Sequence, residues 1–520
     1  MVSGAGDASE SGRRMTVRVN GARRFGVRTA AGCVLCLTAL AAAPGVGAAE
    51  TLREAIELAY QTNPDLRAEQ AQLRATDEGL VQAKAGGGPQ VALQGQLAYE
   101  DASIQQPASL FSRATTTNFG TATNSIDLSV VQPLYSGGAL AAQLRGAEAG
   151  VYAGRQAVRQ AEAQLILNVV TAYCDVRRDR QLVGVVEQEI AFLRSASDET
   201  VARGRLGALS KTDVAQAEAR LLDGRASLQQ AQARLQQSNA EYLSVVGQNP
   251  GELAPEPDLP GLPADVDQAF DAALANNAQL LQALDNEQAA REKVNQAKTA
   301  YRPTISVRVD AQMIPTEPYL PHQYDRNVTG ALVLNAPIYT SGATASKVRQ
   351  AADMDTQAQL QVESTRRQVV KLVSDAWMQL GAARRTADLE ARQVALEQTA
   401  VEGNRIESRA GLRTTIDLLN AESELVGAEE ALLQSRHDAY VAGATLLAAM
   451  GLLETRYVAP GADLYKPERS LKRVEAIDAA PWEGAIVGFD GLAGPTSHAP
   501  EPSPADAGAE RPTSTAETPP

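Results

Sequence analysis

Two unbroken heptads dominate the second half of each half of the chain. Val214, Leu221, Leu228, Leu235 and Tyr242 recur seven apart, as do Leu418, Leu425, Leu432, Ala439, Leu446 and Leu453. Beside each runs a companion seam of small residues: Ala217, Gly224, Ala231 and Ser238 in one, and Ala421, Ala428, Ser435, Ala442 and Ala449 in the other. A large-small pattern of period seven predicts helices that supercoil side by side and approach closely. The same punctuation precedes both heptads, in Gly207 to Glu218 and, 204 positions later, Gly411 to Glu422. Here one helix is predicted to end at the glycine and another to begin at Ser210 or Thr414, with an acid three residues on, the pattern of a capping box. The chain is a two-fold internal repeat.

Upstream of each heptad the hydrophobic spacing predicts the same series of elements. An amphipathic helix is expected over 51–85, interrupted at Asn63-Pro64, and its counterpart over 264–300. Period-two alternation follows in Val91, Leu93, Gly95, Leu97, Tyr99 and in Ile126, Leu128, Val130. The second repeat answers with Ile305, Val307, Val309, Ala311, Met313 and with Val328, Leu332, Leu334. These define strand pairs at about 89–133 and 303–337. The first pair spans 45 positions and the second 35, a difference of ten that is expected to lie in a loop. Long helical patterns then cover 139–203 and 343–408, and shorter return helices 211–247 and 415–453. Tyr173 and Trp377 are equivalent on the long helices, and packing residues rather than channel-lining ones are expected there.

Alternation over roughly ten residues suits a tilted strand of a membrane barrel, although each hairpin alone also fits a soluble hairpin packed on helices. Eight of the 21 aromatics (2 Trp, 13 Tyr and 6 Phe) fall in 99–135 and 301–339, including the paired Tyr135 and Tyr339. Such residues girdle membrane interfaces. Four strands cannot close a barrel, and open edges cannot face lipid. Strands that cross a membrane here require several chains to share one barrel.

Composition supports long helices over a large aromatic core: 44% of residues are hydrophobic but 4% aromatic. The net charge is −14. Residues 1–49 hold six Arg and two acids, so without them the balance is 42 basic against 60 acidic, or −18, which excludes nucleic acid as an expected partner. Arg23, Arg24 and Arg28, the apolar run Ala30 to Ala43, and Gly47-Ala48-Ala49 read as an export signal over 1–49. Cys33 and Cys36 lie inside that run, unsuited to lipid attachment, and Cys174 is left as an inert packing residue. The first repeat then occupies 50–250, a Pro-rich linker 251–263, the second repeat 264–457 and a C-terminal extension 458–520, with a Pro/Ala/Ser/Thr-rich tail from about 491 expected to be disordered. Catalytic, cofactor and metal motifs are absent from the sequence. His322 falls in a hairpin loop and His498 in the tail. His437, in a heptad helix without a ligand partner, is expected to be solvated.

The order and duplication of these features resemble the TolC family of outer-membrane efflux and type I secretion ducts. The resemblance rests on Asn63-Pro64-Asp65-Leu66, on Pro133-Leu134-Tyr135-Ser136-Gly137-Gly138 with its partner Pro337-Ile338-Tyr339-Thr340-Ser341-Gly342, on Lys347 to Ala351, and on the two glycine turns. It covers about 51–457. It implies a homotrimer with a shared twelve-stranded barrel in outer-membrane lipid and a twelve-helix α-barrel tunnel in the periplasm. It also implies a periplasmic adaptor and an inner-membrane ABC or proton-driven pump as partners. By resemblance, Arg413, Asp417, Asp213 and Thr212 form the periplasmic gate, with Asn420 where the family has a second acid and Ser408 where it has a tyrosine. Gly207, Ala208, Leu209, Gly411 and Leu412 are the tips that meet the adaptor. The competing expectation is a coiled-coil structural or adhesive surface protein.

Overall fold

The structure is a computed structural model that describes residues 49–207, 209–315, 324–455, 464–478 and 488. The expected export signal before Ala49, Ala208 at the first tip, His322, His498 and the tail lie outside the described residues. In the first repeat, α1 (Leu52–Thr62) and α2 (Pro64–Ala85) lead through β1 (Gln90–Gln106) and β2 (Thr115–Tyr135) to α3 (Ala139–Arg205) and α4 (Lys211–Val246). In the second, α5 (Val266–Asn276) and α6 (Ala278–Thr299) lead through β3 (Thr304–Pro315) and β4 (Tyr324–Asn335) to α7 (Ala343–Arg409) and α8 (Thr415–Ala449). A further helix, α9 (Pro467–Asp478), packs on α2. At 67 residues each, α3 and α7 extend about 100 Å at 1.5 Å per residue. No described helix is long and apolar enough to cross a membrane.

Local chemistry sets the breaks. Asn63 ends α1 and caps α2, its Oδ1 accepting from the backbone N–H groups of Asp65 and Leu66, while Pro64 occupies the first helical position, where no N–H is needed. Asn277 repeats this at α6 and also donates to Ala449 O, tying the α5–α6 joint to the end of α8. The heptad suggested that α8 runs to 453, but it stops at Ala449. Gly451 takes φ +71, and the N–H groups of Gly451 and Leu452 turn back to the carbonyls of Ala448 and Leu447. Leu453 is fully buried nonetheless, reaching the core from beyond the helix end.

The four strands form one antiparallel sheet in the order β1-β2-β3-β4. Its register sorts side chains by chemistry. Leu93 faces Leu128, Val91 faces Val130, Val130 faces Val309 and Val307 faces Leu332, so these share one face. The opposite face carries Gln94, Gln96, Ser125, Asp127, Ser129, Arg308, Asp310 and Thr329. The apolar face is bare in the single chain: Leu93 is 71% exposed and Leu332 71%. Both edges, on β1 and β4, are unpaired. The ten extra residues of the first hairpin are not in a loop. The surplus lengthens β1 and β2, whose ladder continues to Gln106 and Thr115. Backbone pairing continues wherever extended residues meet, and the run Thr115 to Ser125 includes five Thr, whose β-branched side chains favour extended backbone.

Each repeat has its own core. Ala55, Ala59, Leu66, Leu165, Val169, Ala172 and Tyr173 are buried in the first, and their equivalents Ala269, Ala273, Leu280, Val369, Val373 and Ala376 in the second, with Trp377 packed against them. Tyr173 and Trp377 are therefore packing residues. The small seam of α4 is the buried one: Ala217, Gly224, Ala231 and Ser238 face α3, where a Cβ on Gly224 would come within 2.8 Å of Leu193 Cδ1. The long helices differ in company. α3 packs against α1, α2, α4, α6 and α8, whereas α7 packs against α5, α6 and α8. Its outer side bares Leu360, Met378, Leu389 and Leu396, spaced 18, 11 and 7 apart, or about five, three and two helical turns. Cys174, the α3 equivalent of Met378, is buried, and burial pushes its thiol up to about 12.

Tyr173 also holds the segment that leads into α1. Glu50 forms a parallel bridge with Leu253, and the Tyr173 hydroxyl lies 2.9 Å from Glu50 O and 2.7 Å from Ala254 O. Glu50 O also accepts from Ala254 N, so only Ala254 O loses its sole partner in Tyr173→Phe. The expected loss is about 1 kcal/mol for one buried acceptor left unpaired, read as a lowered thermal unfolding midpoint with unchanged secondary structure; an unchanged midpoint would remove this hydroxyl from the scaffold.

Candidate functional site: the two helix turns and the seam above them

The turns that join α3 to α4 and α7 to α8 repeat one design. Gly207 and Gly411 both take φ +75, a left-handed conformation strained for any side chain even though open space surrounds both. At the second turn Gly411 N donates to Ser408 O and Leu412 N to Glu407 O, closing the last carbonyls of α7. The next helix then starts on a capping box. Ser210 Oγ accepts from Asp213 N at 3.1 Å while Ser210 N donates to Asp213 Oδ2 at 3.0 Å. Thr414 and Asp417 do the same at 3.2 and 3.0 Å. The hydrogen bonds from the Thr414 side chain and backbone hold the Asp417 carboxyl below the usual carboxylate range. Leu206 and Leu412 stand out into solvent, 85% and 77% exposed. Leu209 is half-buried and Thr212 exposed.

The expected gate residues do not all meet within one chain. Among the described residues no hydrogen bond or ion pair joins Arg413 to Asp213 or Thr212. Arg413 Nε instead donates to Glu407 Oε2 at 3.0 Å, across its own turn, with both side chains about half exposed. An exposed pair of this kind contributes only about 0–1 kcal/mol, so Arg413 can change partner at little cost. Asn420 accepts from Arg220 Nη2 at 3.1 Å and so joins α8 to α4. Just above, Leu193, Ala217 and Leu419 pack α3, α4 and α8 together.

Higher along the seam lies a polar clasp that the heptads hid. Arg178 on α3 bonds Asp175 and Asp179, each at 2.8 Å. Asp179, fully buried, accepts from Ser238 of α4, and Asp175 lies 3.1 Å from Nε2 of His437 on α8. His437 Nδ1 is 2.9 Å from Asp438. His437 is thus not solvated: its side chain is 10% exposed, and its neighbours Asp175 and Arg178 come from a different helix. The i, i+3 and i, i+4 charges of α3 were visible in the sequence, but which of them would face α8 depends on how three helices pack. Burial opposes the imidazolium, and Arg178 repels it. The two carboxylates outweigh both, so its pKa is raised. For Asp175, too, burial opposes the charge, and the hydrogen bonds from His437 and Arg178 hold it below its usual range.

The family described as "Outer membrane efflux protein" matches residues 55–248 and 269–452, one stretch per repeat. The outer membrane efflux protein BepC of Brucella suis biovar 1 (strain 1330) is 32% identical over 426 residues, covering 82% of this chain and 91% of that one. The outer membrane protein TolC of Escherichia coli (strain K12) is 25% identical over 420 residues, covering 78% and 83%. The fold is that of the CmeC outer membrane channel of Campylobacter jejuni, with a TM-score of 0.68 at 14% identity over 83% of this chain and 90% of that chain.

The clasp predicts a pH dependence. A histidine whose pKa rises on folding contributes stability that is fully present below its unfolded value, about 6.5, and is lost as pH climbs through the higher folded value. His437 is the only histidine among the described residues. The unfolding midpoint of the purified protein is therefore expected to fall between pH 6 and pH 8, and His437→Gln to flatten that change. A histidine-independent slope would place the titrating group elsewhere.

Proposed function

Because the chain belongs to the outer membrane efflux protein family, with its helices in the periplasm and its sheet in the outer membrane, we propose that three copies form the passive exit duct of a tripartite export system. The observation that carries the reading is the two-faced sheet with both edges open. In hydrocarbon an unpaired backbone edge is not tolerated, so β4 of one copy pairs with β1 of the next, and three sheets of four strands close a barrel of twelve. The apolar face then meets lipid, and the face bearing Ser129, Asp127 and Arg308 lines water. The exposed stripe on α7 finds its cover in the neighbouring copy, and twelve helices continue the barrel as a tunnel. Energy comes from an inner-membrane pump, ABC or proton-driven, coupled through a periplasmic adaptor.

The adaptor docks on the turns at Gly207, Ala208, Leu209, Gly411 and Leu412. What supports this is a pair of equivalent left-handed turns flanked by exposed Leu206 and Leu412, which three copies repeat around one mouth. Arg413, Asp417, Asp213, Thr212 and Asn420 form the closure. Asp213 and Asp417 serve as capping residues and as acceptors, since a carboxylate has lone pairs left after two hydrogen bonds. Arg413 exchanges the solvent-exposed Glu407 for Asp213 and Thr212 of an adjacent turn. A charged hydrogen bond is worth roughly 1.5–3 kcal/mol when shielded, and three symmetric copies bias an iris toward closed.

Two measurements test these assignments. Cysteines at Leu128 and Ser129 in outer membranes are expected to react differently with a membrane-impermeant thiol reagent, the second rapidly through the lumen and the first slowly; equal, fast labelling defeats the barrel reading. In planar bilayers Arg413→Ser combined with Asp213→Ala is expected to raise conductance several-fold, and Asp417→Ala to reduce cation selectivity. Wild-type currents from both variants would sink the gate.

A further inference from the structure

Four basic side chains converge on a cleft of about 730 Å³ between the start of α2 and the segment that opens α9. Arg67 and Arg74 come from α2, Lys466 and Arg469 from the other wall. Among the described residues none of the four makes an ion pair, although the chain as a whole carries −14. The nearby carboxylates are occupied or peripheral: Glu162 accepts from the Tyr60 hydroxyl at 3.0 Å, and Glu468 lies in the first turn of α9. The wall is fixed in place where Tyr465 N donates to that same Tyr60 hydroxyl at 3.0 Å. The phenol oxygen of Tyr465 is buried without a hydrogen-bond partner. Gln61 and Gln70 add amide groups, and Leu464 an apolar contact.

We propose that this cleft binds an acidic peptide segment of a periplasmic partner polypeptide. Four cations without a carboxylate partner, Arg67 being tied only to the backbone oxygen of Gln61, select a ligand with several carboxylates, and the two glutamine amides supply donors and acceptors for a peptide backbone. A lipid headgroup is out of reach: Arg67 lies 18 residues before the membrane-proximal end of α2 at Ala85, about 27 Å along the helix. The wall that contributes Lys466 and Arg469 falls after residue 452, where the match to the family ends, whereas the α2 wall lies inside it. The placement of the cleft in the periplasm rests on the duct reading, whereas the binding itself does not.

Fluorescence anisotropy of a labelled hexaglutamate peptide, titrated with the detergent-solubilised full chain at 50 mM NaCl, tests the proposal independently of export. Saturable binding is expected, weakened at least tenfold by Arg67→Glu with Arg469→Glu and also by the milder Arg67→Gln with Arg469→Gln, in variants whose oligomeric state and unfolding midpoint match the parent. Hexaglutamine is expected not to bind, and inorganic phosphate not to displace the acidic peptide at equal concentration. Absence of saturable binding, equal affinity in the substituted proteins, or displacement by phosphate at equal concentration overturns the assignment. Failure here with bilayer channels intact would leave the duct standing.

Discussion

A row of backbone N–H and C=O groups that has nothing to pair with is the constraint from which the rest of this molecule follows. The sheet is too short to curl onto itself, its outer strands end in open edges, and its apolar face is uncovered. Water would satisfy the edges but not the face, and hydrocarbon the face but not the edges. Association resolves both at once, because each new strand pairing removes two edges while leaving the apolar face outward. The helices inherit that geometry: strands and helices are joined by short connections, so the ring of strands imposes a ring of helices beneath it.

Within a copy the two repeats share a core pattern yet play unequal parts. α3 is enclosed by five helices, whereas α7 keeps one apolar side open. The difference is written in single substitutions between equivalent positions, such as buried Cys174 against exposed Met378. Close contact is delegated to small residues. Gly224 and Ala231 let α4 lie against α3, and the buried charges admitted to that seam are paired, Asp179 by Arg178 and Ser238, Asp175 by Arg178 and His437. Helices held together by small side chains and paired charges can slide with little loss of contact, which is a property suited to a tunnel that opens.

Much of this was legible in the chain, because its signals are periodic and repeated. The heptads, the glycine turns, the Asn-Pro break and the strand alternation each appear twice, and the helix starts at Lys211 and Thr415 follow directly from their capping boxes. The misses share a cause. The fate of the ten extra residues, the burial of His437 and the reach of Leu453 past its helix all depend on what lies across space rather than along the chain. The α9 wall was hidden for another reason: it sits in a segment with no counterpart in the first repeat, where duplication gives no guidance.

The unequal hairpins have a consequence at the other end of the molecule from the turns. β2 pairs with β3 only from Ile126 onward, so Thr115 to Ser125 and their partners Gln96 to Gln106 on β1 continue as a two-stranded ribbon beyond the sheet. Ten paired residues already suffice to cross a bilayer core, and about eleven more at 3.3 Å carry the ribbon some 35 Å past it. A lone two-stranded ribbon is marginally stable in water. In the proposed three-copy duct the cell surface would therefore carry a crown of three slender, locally melting fingers, open to an external protease or an antibody without disturbing the wall of the pore below.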